Sequence, residues 1–373
     1  MDDDRNGSDA DRAGPAIDRR TVVGGAVKLA TAAAASSLFE VQAAAAEADP
    51  PGALHVPARV IPVPRSISPE AQAFLAQAAG MPAPAAAEPA VTDKAAWRAR
   101  IAAMDKMFDP MIDRLLANPA KVERKTLGGA SVCVGTPDTM RHPDRARMTI
   151  HGGAWTLLGG RYVMGEAAEA AAEAGCMAFA VDYRMPPDFP FPAGLDDCVA
   201  AYREIIKTFD PKKVVISGPS AGANLCAAVT LKIRDLGLPL PGAVGIMSIP
   251  ADLTSAGDTL NTNRVIDVML PRPLNTAIAL YAGGHDLTDP YLSPLFGDFG
   301  KGFPPAFLQS GTRDVLLSDT VRMHRKLANA GIEAELHVWE AMPHASFGQS
   351  AAPENRETHT QFLKFIEKHL GPR

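Results

Sequence analysis

From residue 120 onward the chain alternates short runs of Val, Ile, Leu, Met and Ala with longer stretches that mix apolar and charged residues. Continuous apolar runs separated by helix-length segments describe a mostly parallel sheet covered by helices on both faces. Eight segments are strand candidates: Lys121 to Leu127, Ala130 to Val134, Arg147 to Ile150, Met177 to Val181, Lys213 to Ser217, Ala243 to Ser248, Ala306 to Gln309 and Glu335 to Trp339. The first two meet across Gly128-Gly129, a hairpin signal.

Ahead of the sheet the pattern changes. Pro50 to Pro64 is proline-rich and reads as an extended arm lying over a surface. Ser68 and Pro69 have the N-cap and N1 signature of a helix running toward Ala79, and a linker follows from Met81 to Pro89. Thr92 opens a second helix, in which Trp97, Ile101, Met104, Met107, Phe108, Met111, Ile112 and Leu115 recur every three or four residues, the spacing of one packed face. Asp252 to Leu287 interrupts the strand and helix rhythm with mixed, partly apolar sequence.

Composition narrows the class. With 373 residues and 47% apolar content the chain can bury a large core, and its length exceeds an ordinary single domain. A formal net charge of -5, with Lys and Arg scattered, points away from nucleic acid as a partner. Cys133, Cys176, Cys198 and Cys226 show no C-x-x-C spacing and sit in apolar elements, which favours core packing, and the sequence selects no pairing. Two readings stand for the first 48 residues. Arg19-Arg20 before a weakly apolar run from Gly24 to Phe39, then Ala43 to Ala46, resembles a twin-arginine export signal, making the protein periplasmic or secreted. The alternative is a disordered alanine-rich tail on a cytoplasmic protein, suggested by Asp2, Asp3 and Asp4. Lys28 within the run disfavours a membrane anchor.

The chemistry enters at Val214-Val215-Ile216-Ser217, which runs into Gly218-Pro219-Ser220-Ala221-Gly222 and then into a helical stretch. Strand, G-x-S-x-G turn and helix in that order describe a sharp elbow that exposes one serine hydroxyl, so Ser220 is the candidate nucleophile. Glycines flank it because a strained turn crowds any side chain there. The helix starting at Ala221 aims free N–H groups and a positive dipole end at the same place. Upstream, a strand breaks into His151-Gly152-Gly153-Ala154-Trp155, a turn able to supply further backbone donors to an oxyanion. Downstream, Asp314 lies just past one strand end and His344 in the loop after the last strand. Singly, Asp314 also suits a helix N-cap, His344 an ordinary loop histidine and Gly152-Gly153 a plain turn. Together they have the order serine, acid, histidine on the right elements. Asp196 and Asp197 read as helix-start and packing residues, since no nearby histidine completes a metal site, and His285 reads as a hydrogen-bonded histidine.

In these motifs, with Asp182-Tyr183-Arg184, Phe191-Pro192-Ala193, Asp289-Pro290, Ser293-Pro294-Leu295 and Pro343-His344, the chain resembles the bacterial hormone-sensitive-lipase-like carboxylesterases over roughly residues 121 to 371. The resemblance implies an α/β-hydrolase fold: a mostly parallel eight-stranded sheet with helices on both faces, plus a cap. Residues 49-120 would supply the arm and cap helices, and 121-373 the catalytic domain with a cap insertion at about 252-287. It implies Ser220 as nucleophile, His344 as general base and acid, Asp314 as the carboxylate orienting His344, and the N–H groups of Gly152, Gly153, Ala154 and Ala221 as the oxyanion hole. Two positions depart from the pattern. Ala154 stands where the family has a third glycine, so a positive φ there would be strained. Pro219 stands where aspartate or threonine is common, so neither familiar subgroup is indicated.

The expected activity is hydrolysis of short-chain or small carboxylic esters through an acyl-enzyme, with no metal or organic cofactor and a small-molecule ester as the only expected partner. Lactones and xenobiotic esters remain alternative substrates. Acyl transfer to an alcohol, or ligand binding without catalysis, remain alternative functions.

Overall fold

The computed structural model describes residues 51–80 and 88–371. The export-signal reading and most of the linker from Met81 lie outside those residues. Residues 51–59 carry no helix or strand and are exposed throughout.

Eight strands form one sheet: β1 (Ala120–Leu127), β2 (Ala130–Pro137), β3 (Ala146–Ile150), β4 (Met177–Asp182), β5 (Val214–Pro219), β6 (Ala243–Met247), β7 (Ala306–Gly311) and β8 (Ala334–Trp339), in the order β1-β2-β4-β3-β5-β6-β7-β8. β1 and β2 are antiparallel, turning at Leu127 opposite Ala130, and β2 runs antiparallel to β4. From β4 through β8 every pairing is parallel. The expected fold class is thus the observed one.

The long helices between strands are α4 (Arg161–Ala174), α5 (Ala193–Ile205), α6 (Ala221–Asp235) and α9 (Leu317–Asn329), and α10 (Pro353–Leu370) follows the last strand. β5 shows why its run is continuously apolar. Val214 and Ile216 join one core cluster with residues of α5, α6 and α9, while Val215 joins another with Phe362, Phe365 and Ile366 of α10. Alternate side chains point to opposite faces, and a helix buries each face. All four cysteines are buried and unpaired within these layers, as their apolar surroundings suggested. Burial pushes the Cys133 and Cys176 thiols up to about 11. Among the described residues, no helix is long and apolar enough to cross a membrane.

Upstream, α1 (Pro69–Ala79) begins as read: Ser68 Oγ accepts from Ala71 N at 3.2 Å. Ser68 also donates to the Glu354 carboxylate on α10 from its N–H and its hydroxyl, at 2.8 and 2.7 Å. Phe74 meets Phe347 edge-on at 6.2 Å, so α1 covers the loop after β8. The single helix expected from Thr92 is instead two, α2 (Lys94–Met107) and α3 (Asp109–Leu116). They break at Phe108 because Pro110, in the first turn of α3, has no N–H with which to continue the α2 ladder. The break leaves Met107 77% exposed, off the expected apolar face, whereas Ile112 and Leu115 are buried. Leu115 packs so closely on α4 that a Cβ at Gly165 would overlap it. The segment from Asp252 to Leu287 contains two short helices, α7 (Thr259–Thr262) and α8 (Asn275–Ala282).

Phe307 on β7 is fully buried against Phe362 at 5.3 Å, Phe365 at 5.7 Å and the stacked His337 ring at 4.7 Å. Phe307→Ala is expected to cost about 3–5 kcal/mol. Urea unfolding would show it as a lower midpoint at unchanged slope.

Candidate active site

The turn from β5 into α6 is held open by two glycines. A Cβ on Gly218 or Gly222 would overlap the Ile150 carbonyl at the end of β3. Between them Ser220 adopts φ 56 and ψ -125, outside the ordinary regions for a residue with a side chain. Ser220 N–H donates to Met247 O at 2.8 Å and Asn224 N–H donates to Ser220 O at 3.1 Å, which lock the turn to β6 and α6. Asn224 is itself buried and donates to the Pro250 and Leu292 carbonyls.

His344, in the loop after β8, lies with Nε2 2.9 Å from Ser220 Oγ. Its Nδ1 lies 3.1 Å from Asp314 Oδ1. Asp314 is fully buried past the end of β7 and accepts from Ser310 Oγ at 2.7 Å and from Leu316 N–H at 2.9 Å. The bond to Leu316 shows that Asp314 also caps the turn before α9. Because Asp314 accepts, Nδ1 of a neutral His344 carries the proton and Nε2 is left to accept from Ser220. A Cβ on Gly311 would overlap Met342 O, so the two loops carrying Asp314 and His344 touch backbone to backbone.

Burial alone would push the His344 pKa down, but the Asp314 charge, its hydrogen bond and the charge of Asp267 raise it above the ordinary value. Burial would likewise push the Asp314 carboxyl up, and the His344 charge and hydrogen bonds more than offset it, holding it below the usual range. Both shifts favour an ion pair once His344 is protonated.

Of the four backbone positions expected to face an oxyanion, Ala221 begins α6 and Gly152 lies beside Ser220, its added Cβ falling 3.4 Å from Ser220 Cβ. Gly153 has φ 92 and Ala154 φ 50, so the strain anticipated at Ala154 is present. Neither N–H of Gly153 or Ala154 has a hydrogen-bond acceptor among the described residues. His151 is buried, and burial pushes its imidazole down to about 4, so it is neutral. Its Nδ1 lies 2.9 Å from Gly152 O, and its ring stacks on Tyr183 at 4.2 Å.

The sequence reading missed Asp267. This buried carboxylate accepts from Val315 N–H at 2.9 Å and from His344 N–H at 3.2 Å, which joins the acid and histidine loops. It also accepts from Met269 and Leu270 N–H groups, the local pattern of an ordinary Asx turn, so nothing in the sequence set it apart. Asn263 adds donors to the Thr312 and Asp314 carbonyls. Ligand atoms of Asp267, Asp314 and His344 lie within 4.8 Å of one another, spacing that would suit a cation. Their lone pairs, however, already accept from N–H and O–H donors. Asp197 is paired with Arg184 at 2.9 Å and lies apart from this group, and His285 is exposed, edge-on to Phe191.

A family model described as an alpha/beta hydrolase fold matches residues 147–348. An acetyl-hydrolase of Streptomyces hygroscopicus is 33% identical over 231 residues, 61% of this chain and 69% of that protein. The carboxylesterase NlhH of Mycobacterium tuberculosis is 30% identical over 247 residues, 60% of this chain and 75% of that protein. Among solved structures, an esterase E25 superposes with TM-score 0.78 at 33% identity, covering 86% of this chain and 99% of that one. An esterase from the bacterial hormone-sensitive lipase family superposes with TM-score 0.67 at 28% identity, covering 82% and 99%.

An NMR titration of the imidazoles should find His344 still protonated above pH 6.5, its ordinary midpoint. Asp267→Asn removes one of the charges that raises this value, so the transition should move to lower pH. A His344 titration that Asp267→Asn leaves in place would show that this carboxylate acts only as a backbone acceptor.

Proposed function

Since the chain belongs to the α/β-hydrolase family and is a carboxylic ester hydrolase, we propose that it is a serine carboxylesterase in which Ser220, His344 and Asp314 form the catalytic triad. The observation that carries this reading is the unbroken hydrogen-bonded line from Ser220 Oγ through His344 to the buried Asp314 carboxylate.

A serine hydroxyl is a weak nucleophile at neutral pH. As Ser220 Oγ attacks the ester carbonyl, His344 Nε2 takes its proton, and the imidazolium is stabilised by Asp314. The carbonyl oxygen becomes an oxyanion facing N–H groups of Gly152, Gly153, Ala154 and Ala221, each such donor contributing about 3 kcal/mol in enzymes that use this device. The tetrahedral intermediate collapses when His344 protonates the departing alkoxide, which leaves Ser220 acylated. Water, deprotonated by His344, then attacks the acyl group. The second collapse releases the acid and returns the proton to Ser220.

The name of the acetyl-hydrolase relative favours short acyl groups. Of the expected cap, residues 60-120 and the segment at about 252-287 are proposed to cover the Ser220 site. Arg98 of α2 pairs with Asp188, and Asp105 of α2 accepts from Leu158 N–H at 3.1 Å, contacts that suit such a cover.

Hydrolysis of p-nitrophenyl esters from acetate to palmitate tests the reading. Activity should peak at short chains, fall about a million-fold in Ser220→Ala and about 10⁴-fold in Asp314→Asn. Turnover that survives Ser220→Ala would refute the triad assignment, and product that appears only with an added alcohol acceptor would favour acyl transfer.

A further inference from the structure

The turn that follows β3 is strained beyond its glycines. Gly153, Ala154 and Trp155 follow one another at φ 92, 50 and 58, so two residues with side chains occupy the left-handed region in succession. Such residues relax to negative φ unless their surroundings prevent it. Backbone bonds from Thr156 and Leu157 N–H to Gly153 O, at 3.0 and 2.9 Å, close the turn. The turn these bonds close is built on positive φ at both Ala154 and Trp155, which two backbone bonds do not by themselves enforce, and their shared acceptor, Gly153 O, lies in the peptide that carries the Ala154 N–H.

The side chain of Trp155 supplies the missing restraint. It is wholly buried and stacks on the ring of Tyr281, with centroids 4.7 Å apart and planes 5° from parallel. Tyr281 belongs to α8, within the segment that interrupts the strand and helix rhythm. Its own position is fixed twice over: Phe191 N–H donates to Tyr281 O at 2.8 Å, and the Phe191 ring stands edge-on to the tyrosine at 6.2 Å. Neither Trp155 Nε1 nor the Tyr281 hydroxyl has a hydrogen-bond partner among the described residues, although both are buried. The contact therefore works through the flat faces of the two rings, and the hydroxyl adds nothing to it.

We infer that Tyr281 is a positioning residue for ester hydrolysis: by stacking on Trp155 it keeps the strained turn in the conformation that leaves the Gly153 and Ala154 N–H groups free to meet the oxyanion. This rests on the reading of those groups as oxyanion donors. If the stack is lost, Ala154 and Trp155 relax, the bonds to Gly153 O open, the peptide that carries the Ala154 N–H turns away, and the transition state loses stabilisation that the bound substrate never had. Since α8 lies in the same segment as Asp267 and Asn263, that segment then holds the oxyanion side of the site as well as the acid and histidine side.

The test compares Tyr281→Phe, Tyr281→Leu and Tyr281→Ala on p-nitrophenyl acetate, with inhibition by an aryl trifluoromethyl ketone, whose serine adduct carries an oxyanion. Tyr281→Leu and Tyr281→Ala should lower kcat by about 10- to 100-fold with KM within about threefold of the parent, and should weaken the ketone by the same factor as kcat. Tyr281→Phe keeps the ring face and should restore both values to within about twofold. A folded Tyr281→Leu with full kcat and undiminished ketone affinity would overturn the inference while leaving a Ser220-dependent esterase intact. So would a loss of kcat without loss of ketone affinity, or failure of both aliphatic variants to fold, which would make Tyr281 a core residue alone. Activity that persists in Ser220→Ala would instead sink the underlying serine mechanism.

Discussion

Everything around the site depends on how closely two pieces of backbone approach beneath Ser220. The Ile150 carbonyl ends β3 against Gly218 and Gly222, at a distance no side chain would permit. That approach forces the β5 to α6 connection into its sharp reversal and puts Ser220 at positive φ. It also delivers the residues after Ile150, the Gly152 to Ala154 turn, to the same point. A second close approach, Gly311 against Met342 O, joins the loops that carry Asp314 and His344. Ser220, the Gly152 to Ala154 turn, Asp314 and His344 are thus brought together by main-chain contacts at the carboxyl ends of adjacent parallel strands, where open α/β sheets gather their functional loops.

Such geometry stores strain, and the surrounding structure has to hold it. Ser248 and Ala345, which also have positive φ, bond to each other through Ala345 N–H and Ser248 Oγ at 3.0 Å, next to the histidine. The segment from Asp252 to Leu287 contributes buried polar groups to the acid loop and an aromatic face to the turn after β3. A stretch with little regular structure of its own is therefore anchored at several points by the site it surrounds. Around His344 the electrostatics follow from burial. Two carboxylates in a site of low polarity make protonated imidazole easier to form, and the same burial protects the N–H and O–H bonds that fix both acids.

Most of the fold was legible because parallel strands buried on both faces must be written as continuous apolar runs, as β3 to β7 are, whereas β1, antiparallel and mostly exposed, was marked by the Gly128-Gly129 hairpin signal. The members of the site were legible for a similar reason: each occupies a turn at a strand end where glycine or the order of residues betrays it. What escaped were features decided by distant contacts. Asp267 has the local signature of a turn former, and only the arrival of His344 and Val315 from far along the chain makes it part of the site. Trp155 and Tyr281 are ordinary apolar positions until α8 brings their rings face to face. The break at Phe108 was in principle readable from Pro110, but the regular three and four spacing across it concealed the change of direction that exposes Met107.

The four cysteines add a property that has nothing to do with esters. Each thiol is buried, and with a pKa of about 11 only about one Cys133 side chain in ten thousand would be ionised at pH 7. All four thiols are free, so no disulfide ties the layers together. A thiol-specific dye would consequently stay unreacted while the layers are shut and be consumed only as they part. The four sulfurs form an internal clock of native-state opening, distributed over β2, the connection from α4 to β4, α5 and α6, that can be read without touching Ser220.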